Sequence, residues 1–416
     1  MALERIQVTT EWHPANGGVK GLFCQGDAIA RMEALLGEYE GKIKLIYMDP
    51  PFMTGDRFYM RMRVGEEEWR RGKGSLALES FADRYDRAEY LAMMRRVLEL
   101  SRRLLSDEGM IFVHLDYRAH PHVRLLMDEI YGEDNLLNEI IWVYQSGGRS
   151  IHHFSRKHDV ILFYRKTEKY DFNIEAVKAP RAKPRTSHMR RHVDPDGRVY
   201  RSIRSGGRVY TYYDDDPIAP TDVWQDLAHL QQKDPERTGF DVQKPLALLD
   251  RIVKCASRPG DWVLDPFAGS ATTLEAARLN GRSFIGIDRS PLTVNIARRR
   301  LNGADYRILL ADYKPTSVCS AAIHAGVGFY HVILEDFSTD IPGLPEGALP
   351  MDVVDNWSVG YLRPEGYQVM AEFARSKRAG ALQRELAVPA YAGKLALCVG
   401  DVAGGSHYFA LERAMP

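Results

Sequence analysis

Residues 262–273 read WVLDPFAGSATT, and this stretch decides the fold that the sequence predicts. Its apolar start is typical of a buried strand, its small residues are typical of a tight turn, and a helix is expected from Thr272. A further strand is expected at 283–287, and it ends at Asp288. Because strands joined by helices pair in parallel, residues 244–302 predict part of a doubly wound α/β sheet with helices on both faces.

An earlier region, between residues 20 and 166, shows the same alternation. Its apolar runs and helical periodicity predict strands at 21–24, 44–48, 110–115, 140–144 and 160–164, and helices at 28–36 and 87–105. We expect residues 107–109, Asp-Glu-Gly, to separate the second helix from the strand that follows. The length of 416 residues suits one large α/β domain with an addition, or two domains.

The charge of the chain is balanced overall, with 56 basic and 56 acidic residues, so any attraction to nucleic acid must be local. Residues 169–208 hold eleven Lys or Arg against four Asp or Glu, with tyrosine and phenylalanine between them. This composition fits either a solvated surface loop or an insertion that contacts DNA phosphates and base edges.

The pattern after Pro315 changes to short strands, expected at 330–334, 394–399 and 407–411, with Gly404-Gly405 closing a hairpin. This predicts a small α+β or β-rich C-terminal domain. The four cysteines form no CxxC pair, which predicts neither a metal site nor a disulfide framework. No signal peptide and no membrane span is recognisable, so we expect a cytoplasmic protein without membrane contacts.

The turn that follows Leu264 lies where a parallel strand ends, and Gly269 lets a ligand approach the backbone there. Asp288 stands 23 residues after Asp265, about where an acidic residue binds ribose hydroxyls. A GxGxxG pattern is missing, which favours a nucleoside cofactor without phosphate over a nicotinamide dinucleotide. Lys244, at the start of a predicted helix, either pairs with the carboxylate of an amino-acid cofactor or is a surface lysine.

A rigid tetrapeptide, Asp49-Pro50-Pro51-Phe52, follows the predicted strand at 44–48 directly. Prolines fix φ and donate no backbone hydrogen bond, so this turn is rich in acceptors. The Asp49 carboxylate and the Pro50 carbonyl can accept the two N–H groups of an amine and orient its lone pair toward an electrophilic methyl group. Phe52 can stack on a base extruded from a duplex. The other interpretation is a strand-ending turn with a solvated aspartate.

In their order along the chain, these motifs resemble the amino-group DNA methyltransferases of the β arrangement, in which the catalytic motif precedes the cofactor motif. They are similar in particular to adenine methyltransferases related to the modification subunits of type III restriction systems. The resemblance covers roughly residues 20–302 and also includes Gly26-Asp27, Phe81-Ala82-Asp83, 108–116, 157–162 and Gln243-Lys244-Pro245. It implies a circularly permuted Rossmann-like fold with a seven-stranded, mostly parallel sheet that contains one antiparallel strand.

The resemblance also implies S-adenosyl-L-methionine as the cofactor and double-stranded DNA as the substrate. Asp27 is expected to bind the adenine of the cofactor, Asp288 its ribose and Lys244 its carboxylate. The residues expected to line the methionine part are Asp265, Phe267, Ala268, Gly269 and Ser270, and Pro266 and Thr272 are also expected to bind the cofactor. The implied parts are a catalytic half at 20–166, a target-recognition insertion at 167–235, a cofactor-binding half at 236–313 and a C-terminal accessory domain at 318–416.

The activity that the resemblance implies is site-specific methylation of the N6 amine of a flipped adenine, as in restriction–modification. Asp49 favours adenine because the motif of cytosine-N4 enzymes more often begins with serine. Methylation of cytosine N4, methylation of a protein amide and a catalytically silent DNA-binding relative are the alternatives. A homodimer and a cognate restriction endonuclease are both left open.

Two positions depart from the pattern of the family. Ala271 stands where glycine is usual, and its methyl group is tolerated if φ is negative, although it could narrow the pocket. Val242 stands where threonine is usual, which removes one hydroxyl group.

Overall fold

The computed structural model describes residues 3–16, 18–65, 75–144, 150–180, 189–311, 316–375 and 381–412. Within these ranges the helices are α1 Ala28–Tyr39, α2 Arg87–Leu104, α3 His120–Tyr131, α4 Leu246–Ala256, α5 Thr272–Leu279 and α6 Leu292–Arg300. The first strands are β1 Arg5–Ile6, β2 Thr10–His13, β3 Lys20–Gln25, β4 Ile43–Met48, β5 Arg57–Arg63, β6 Ser75–Ala82, β7 Leu105–Leu115, β8 Leu136–Val143, β9 His158–Arg165, β10 Arg190–Val193, β11 Val199–Ser205, β12 Arg208–Tyr213 and β13 Val223–Trp224. The later strands are β14 Trp262–Asp265, β15 Ser283–Asp288, β16 Asp305–Leu309, β17 Ser317–Ala325, β18 Phe329–Thr339, β19 Val354–Arg363, β20 Gly366–Ala374, β21 Glu385–Pro389, β22 Lys394–Asp401 and β23 Ser406–Ala410.

Seven adjacent strands form the centre of the molecule, in the order β3-β15-β14-β4-β7-β9-β8. Strand β9 is antiparallel to both of its neighbours, and the other pairs in this group are parallel. The predicted seven-stranded, mostly parallel sheet with one antiparallel strand is therefore confirmed. In the chain, the strand that precedes Asp49 comes before the strand that ends at Asp265. The circular permutation itself stays a prediction.

The central strands are continuous apolar runs because helices cover both faces of the sheet. All six residues of β4 are buried, and the ammonium of its one charged residue, Lys44, lies 2.7 Å from a carboxylate oxygen of Glu108. Asp27 and Asp86 directly precede helices α1 and α2. Their carboxylates cap these helices by accepting a backbone N–H of the first turn. The predicted break at residues 107–109 is wrong, because β7 starts at Leu105 directly after α2.

The C-terminal residues extend the same sheet. Strand β16 pairs in parallel with β3, β2 is antiparallel to β16, and β20 then pairs with β2, so the sheet has fifteen strands. Strands β17, β18 and β21 form a separate antiparallel sheet that packs against it. The expected hairpin at Gly404-Gly405 joins β22 to β23. The part after residue 316 is thus β-rich, and the four domain boundaries stay predictions.

The basic segment forms a small antiparallel sheet, β10-β11-β12, outside the central one. Residues 181–188 of that segment lie outside the described residues. Of the helices described, none is long and apolar enough to cross a membrane.

Candidate functional site

A cavity of ≈ 470 Å³ opens where β4, β14 and β15 end, and its volume is typical of small-molecule sites. It is lined by every residue that the sequence assigned to cofactor binding, namely Asp27, Lys244, Asp265, Pro266, Phe267, Ala268, Gly269, Ser270, Thr272 and Asp288. Of the tetrapeptide, Asp49 and Pro51 line the same cavity, and Pro50 is buried beside it. The structure therefore brings the two motifs together, while the role of each residue stays a prediction.

Two carboxylates hold the turn after β14, of which Asp265 is buried and Asp288 is partly buried. Asp265 accepts hydrogen bonds from the Phe267 N–H at 3.0 Å and the Thr273 hydroxyl at 2.6 Å. Asp288 accepts the N–H groups of Gly269 and Ser290, each at 2.8 Å. Burial, reinforced by repulsion from Asp49 and Asp288, raises the pKa of Asp265 to about 7. Burial also raises the pKa of Asp288, because its two backbone hydrogen bonds offset only part of the cost of desolvation.

The turn itself requires unusual backbone conformations. Gly269 has a φ of +46°, and a side chain there would place its Cβ 3.1 Å from the ring of Phe240. Ala271 also lies in the left-handed region, with φ +56° and ψ +27°, so the condition under which its methyl group would be tolerated without strain is not met. Its methyl group is buried and is not among the groups that line the cavity in the described structure. Ala271 therefore strains the backbone without narrowing the pocket.

Asp49 has one oxygen paired and one oxygen available. The Lys244 ammonium donates to Asp49 Oδ2 at 2.5 Å, so this lysine contacts the predicted catalytic carboxylate in addition to lining the cavity. Asp49 Oδ1 is buried and has no hydrogen-bond partner among the described residues. The Lys244 Nζ also lies 5.5 Å from the centroid of the Phe52 ring. The arrangement leaves one carboxylate oxygen of Asp49 free to accept a hydrogen bond.

Asp83 fixes the backbone that follows the two prolines. Its carboxylate accepts three N–H groups, from Phe52 at 2.9 Å, Met53 at 3.0 Å and Thr54 at 3.0 Å. Its own backbone bonds to Gly55, and the carboxylate is almost fully buried. Met53 has a φ of +58°, a conformation that these bonds impose. Phe81-Ala82-Asp83 belongs to the quoted motifs, but the sequence assigned it no role.

A chain of buried and partly buried polar groups runs behind Phe52. Tyr47 bonds His114 Nδ1 at 3.0 Å, His114 Nε2 bonds Asp159 Oδ2 at 3.1 Å, and Tyr144 donates to Asp159 Oδ1 at 3.1 Å. The ring of His114 lies 6.4 Å from that of Phe52, with 22° between their planes. Burial opposes ionisation of Asp159, but the bonds from His114 and Tyr144 outweigh it and hold the pKa of that carboxyl below its usual range.

The far end of the cavity combines apolar walls with hydroxyl groups. Asp27 is exposed, and its Oδ1 caps α1 by accepting the Ala30 N–H at 3.1 Å. The hydroxyls of Ser80 and Ser290 are buried, line the cavity and have no partner among the described residues. Other lining residues that sequence reasoning missed include Ile29, Phe81, Tyr85, Met93, Phe240 and Pro291. They come from separate segments, and only Phe81 belongs to a quoted motif.

Comparison with known proteins identifies related sequences. Residues 43–299 match the family described as DNA methylase (N6_N4_Mtase). The type II methyltransferase M.EcaI of Enterobacter cloacae is 30% identical over 324 residues, which cover 67% of this chain and 68% of the relative. The DNA adenine methyltransferase YhdJ of Escherichia coli (strain K12) is 26% identical over 68% of this chain and 82% of its own. Among solved structures, the cytosine-N4-specific PvuII DNA methyltransferase aligns with a TM-score of 0.44 and 15% identity, over 69% of this chain and 87% of its own.

The left-handed conformation of Ala271 gives a testable difference in stability. Ala271→Gly removes a buried methyl group but relieves backbone strain, whereas Ala277→Gly removes an equally buried methyl group from the interior of α5. We expect Ala271→Gly to leave the free energy of unfolding about 2 kcal/mol higher than Ala277→Gly does. Urea denaturation of both variants measures this difference, and equal losses would contradict the strain at Ala271.

Proposed function

The chain belongs to the DNA methylase family, and from that premise we propose that it transfers a methyl group from S-adenosyl-L-methionine to the N6 amine of a flipped adenine in DNA. One observation carries the mechanism, which is the buried, unpaired Oδ1 of Asp49 at the wall of the cavity. A buried acceptor without a partner is costly, so a donor is expected to satisfy it in the working complex. An exocyclic amine supplies such a donor.

The cavity fits S-adenosyl-L-methionine, which supplies an electrophilic methyl group when it is bound. The unpaired hydroxyls of Ser80 and Ser290 offer partners to a polar ligand, and the carboxylates of Asp265 and Asp288 favour a cationic one. Asp288 has a lone pair left on each oxygen for ribose hydroxyls. Lys244 keeps two N–H donors beyond its bond to Asp49, and these can reach the carboxylate of an amino acid.

Some residues of the tetrapeptide contact the target amine, and neighbouring residues hold them in position. Asp49 Oδ1 accepts one N–H, and the Pro50 carbonyl accepts the other, so the nitrogen lone pair points away from both. The negative charge of Asp49 offsets the positive charge that develops on the nitrogen during transfer. Lys244 holds Oδ2 and thereby keeps Oδ1 turned to the substrate. Asp83 holds the backbone from Phe52 onward, which sets the plane against which the base stacks.

Adenine is favoured over cytosine as the target. The aspartate at the head of the tetrapeptide supports adenine, and one relative is named as a DNA adenine methyltransferase. The N4 amine of cytosine presents the same two N–H groups, so the geometry at Asp49 alone does not separate the two bases.

The small sheet β10-β11-β12 is the proposed target-recognition surface. The strand register puts Arg191, Arg201 and Tyr212 side by side on one face, and Ile203 and Tyr210 continue that face. Ile203 and Tyr210 are exposed by 47% and 45%, which is unusual for apolar and aromatic side chains of a sheet. Cations beside exposed aromatic rings suit phosphate and base-edge contacts. The homodimer, the cognate restriction endonuclease and the cytoplasmic location stay predictions.

Sequencing that detects methylated bases, applied to DNA from a host that expresses the chain, tests the function. We expect N6-methyladenine at one short sequence, and N4-methylcytosine without N6-methyladenine would contradict the choice of adenine. Asp49→Ala should lower the rate of methyl transfer by about a hundredfold or more because it removes a transition-state acceptor. The cofactor Kd should stay within about threefold of wild type. Asp340→Ala, at an exposed C-terminal position, serves as the matched control.

Asp83→Asn tests the role of Asp83 as a positioning residue. The amide can accept on one side only, so its NH2 group meets a backbone N–H of Phe52, Met53 or Thr54. We expect kcat to fall by about tenfold or more with little change in the cofactor Kd, since bonds to a charged group contribute about 1.5–3 kcal/mol. Asp86→Asn, which keeps a good helix cap, should behave as wild type. Equal kcat in both variants would refute the assignment.

The raised pKa of Asp265 predicts a pH dependence. Its pKa of about 7 in the folded, cofactor-free chain exceeds the unfolded value, so folding favours the protonated acid. The free energy of unfolding should therefore fall as pH rises from about 4 to about 7 and level off above that. A cationic cofactor favours the carboxylate, so its affinity should increase over the same range. Calorimetry and thermal unfolding from about pH 5 to about 8 measure both trends, including the plateau above the folded pKa. Asp265→Asn should remove the pH dependence of both the free energy of unfolding and the cofactor affinity. An unchanged pH dependence in that variant would assign it to another group.

A further inference from the structure

The connection between β8 and β9 carries two apolar side chains that the protein leaves in water. Ile151 is exposed by 91% and Phe154 by 99%. A phenylalanine ring loses favourable burial in this state, and neighbouring exposed apolar groups mark a surface that a partner covers. These residues belong to a different chain segment from the β10-β11-β12 sheet proposed for target recognition.

The charge around these side chains identifies the class of partner. Residues 150–158 read SIHHFSRKH, with two cations, three histidines and no acidic residue. The guanidinium of Arg156 lies 4.0 Å from the centroid of the Tyr117 ring, which is itself exposed by 47%. An apolar ring next to two cations suits a nucleic acid, because its phosphates attract the cations and its stacked bases accept the ring.

The base of this connection is tied to the catalytic tetrapeptide. Tyr144 precedes the connection and Asp159 follows it, and the two side chains bond each other at 3.1 Å. Asp159 bonds His114, whose ring faces that of Phe52. The connection therefore leaves the sheet at the same edge as Asp49, where the carboxyl ends of β4 and β7 lie side by side.

We propose that Phe154 enters the DNA duplex and fills the space that the flipped adenine vacates, while Arg156 and Lys157 contact the flanking phosphates. The proposal rests on the proposed function, because it presupposes a base that leaves the duplex to reach Asp49. Extrusion of a base breaks pairing and stacking on both sides. An aromatic ring in the vacated space restores stacking with the neighbouring bases and slows the return of the target base. Phe154 is thus a positioning residue for the substrate.

The test compares two duplexes once the methylated sequence is known. In one, the target adenine is paired with thymine; in the other, it faces an abasic site, so that little pairing opposes its extrusion. Phe154→Ala should lower the single-turnover rate on the paired duplex by about tenfold or more, since one stacking contact is lost. On the abasic duplex, the rate should fall less than about threefold. Phe154→Trp should retain the wild-type rate on both duplexes.

Two controls separate this role from a general effect. Phe329→Ala removes another exposed phenylalanine, in a C-terminal strand, and should leave both rates unchanged. The cofactor Kd of Phe154→Ala should equal that of wild type. Equal rates of wild type and Phe154→Ala on the paired duplex would overturn the proposal. An equal loss on both duplexes, or a change of oligomeric state without a duplex-dependent loss, would overturn it too. If the wild-type chain methylates no DNA, the proposed function itself is refuted. If it methylates DNA but Phe154→Ala shows no loss specific to the paired duplex, only the role of Phe154 is refuted.

Discussion

The parallel pairing of β14 with β4 and β15 is the constraint on which the site depends. Asp49 and Asp265 are more than two hundred residues apart in the chain, yet they follow or end neighbouring strands with Leu264 opposite Ile46. Carboxyl ends of parallel strands lie at one edge of a sheet, so both carboxylates reach one cavity. Because side chains alternate along a strand, a slip of one residue would turn Asp265 to the opposite face. The register of the sheet therefore assembles the site.

The crowding of carboxylates at that edge has an electrostatic consequence. Asp49 is neutralised by Lys244, whereas Asp265 and Asp288 are held only by hydroxyl and backbone donors. Burial and mutual repulsion then raise the pKa of Asp265 to about 7, so the cofactor-free chain keeps part of this site protonated near neutral pH. A ligand that carries positive charge offsets the free-energy cost of ionising Asp265. The packing that forms the turn therefore also favours a positively charged ligand in this cavity.

Sequence patterns predicted those parts of the fold and site that depend on local chemistry. The apolar runs that form β4, β14 and β15 are continuous because both faces of the sheet are covered. The rigid tetrapeptide can likewise be recognised from the sequence alone. Helix α3 was missed because it starts at His-Pro-His without a capping side chain. The three bonds of Asp83 and the φ of Ala271 depend on distant segments. No local pattern records the joining of the C-terminal strands to the central sheet through β2 and β16.

Those C-terminal strands bear on the cofactor turn through packing. Arg298 of α6 and Glu11 of β2 form a buried ion pair at 2.7 Å, and the same guanidinium donates to the hydroxyl of Ser406 in β23 at 2.9 Å. At Gly404, a Cβ would lie 2.5 Å from the backbone of Pro291, so the β22–β23 hairpin presses on the start of α6. Leu292 of α6 and the apolar side chains of the C-terminal strands belong to one buried cluster. This cluster also contains Phe240, whose ring lies against Gly269. Because cores are close-packed, we expect looser packing of the C-terminal strands to shift Phe240 and with it one wall of the cavity. The C-terminal region thus belongs to the physical support of the site, whatever other role it has.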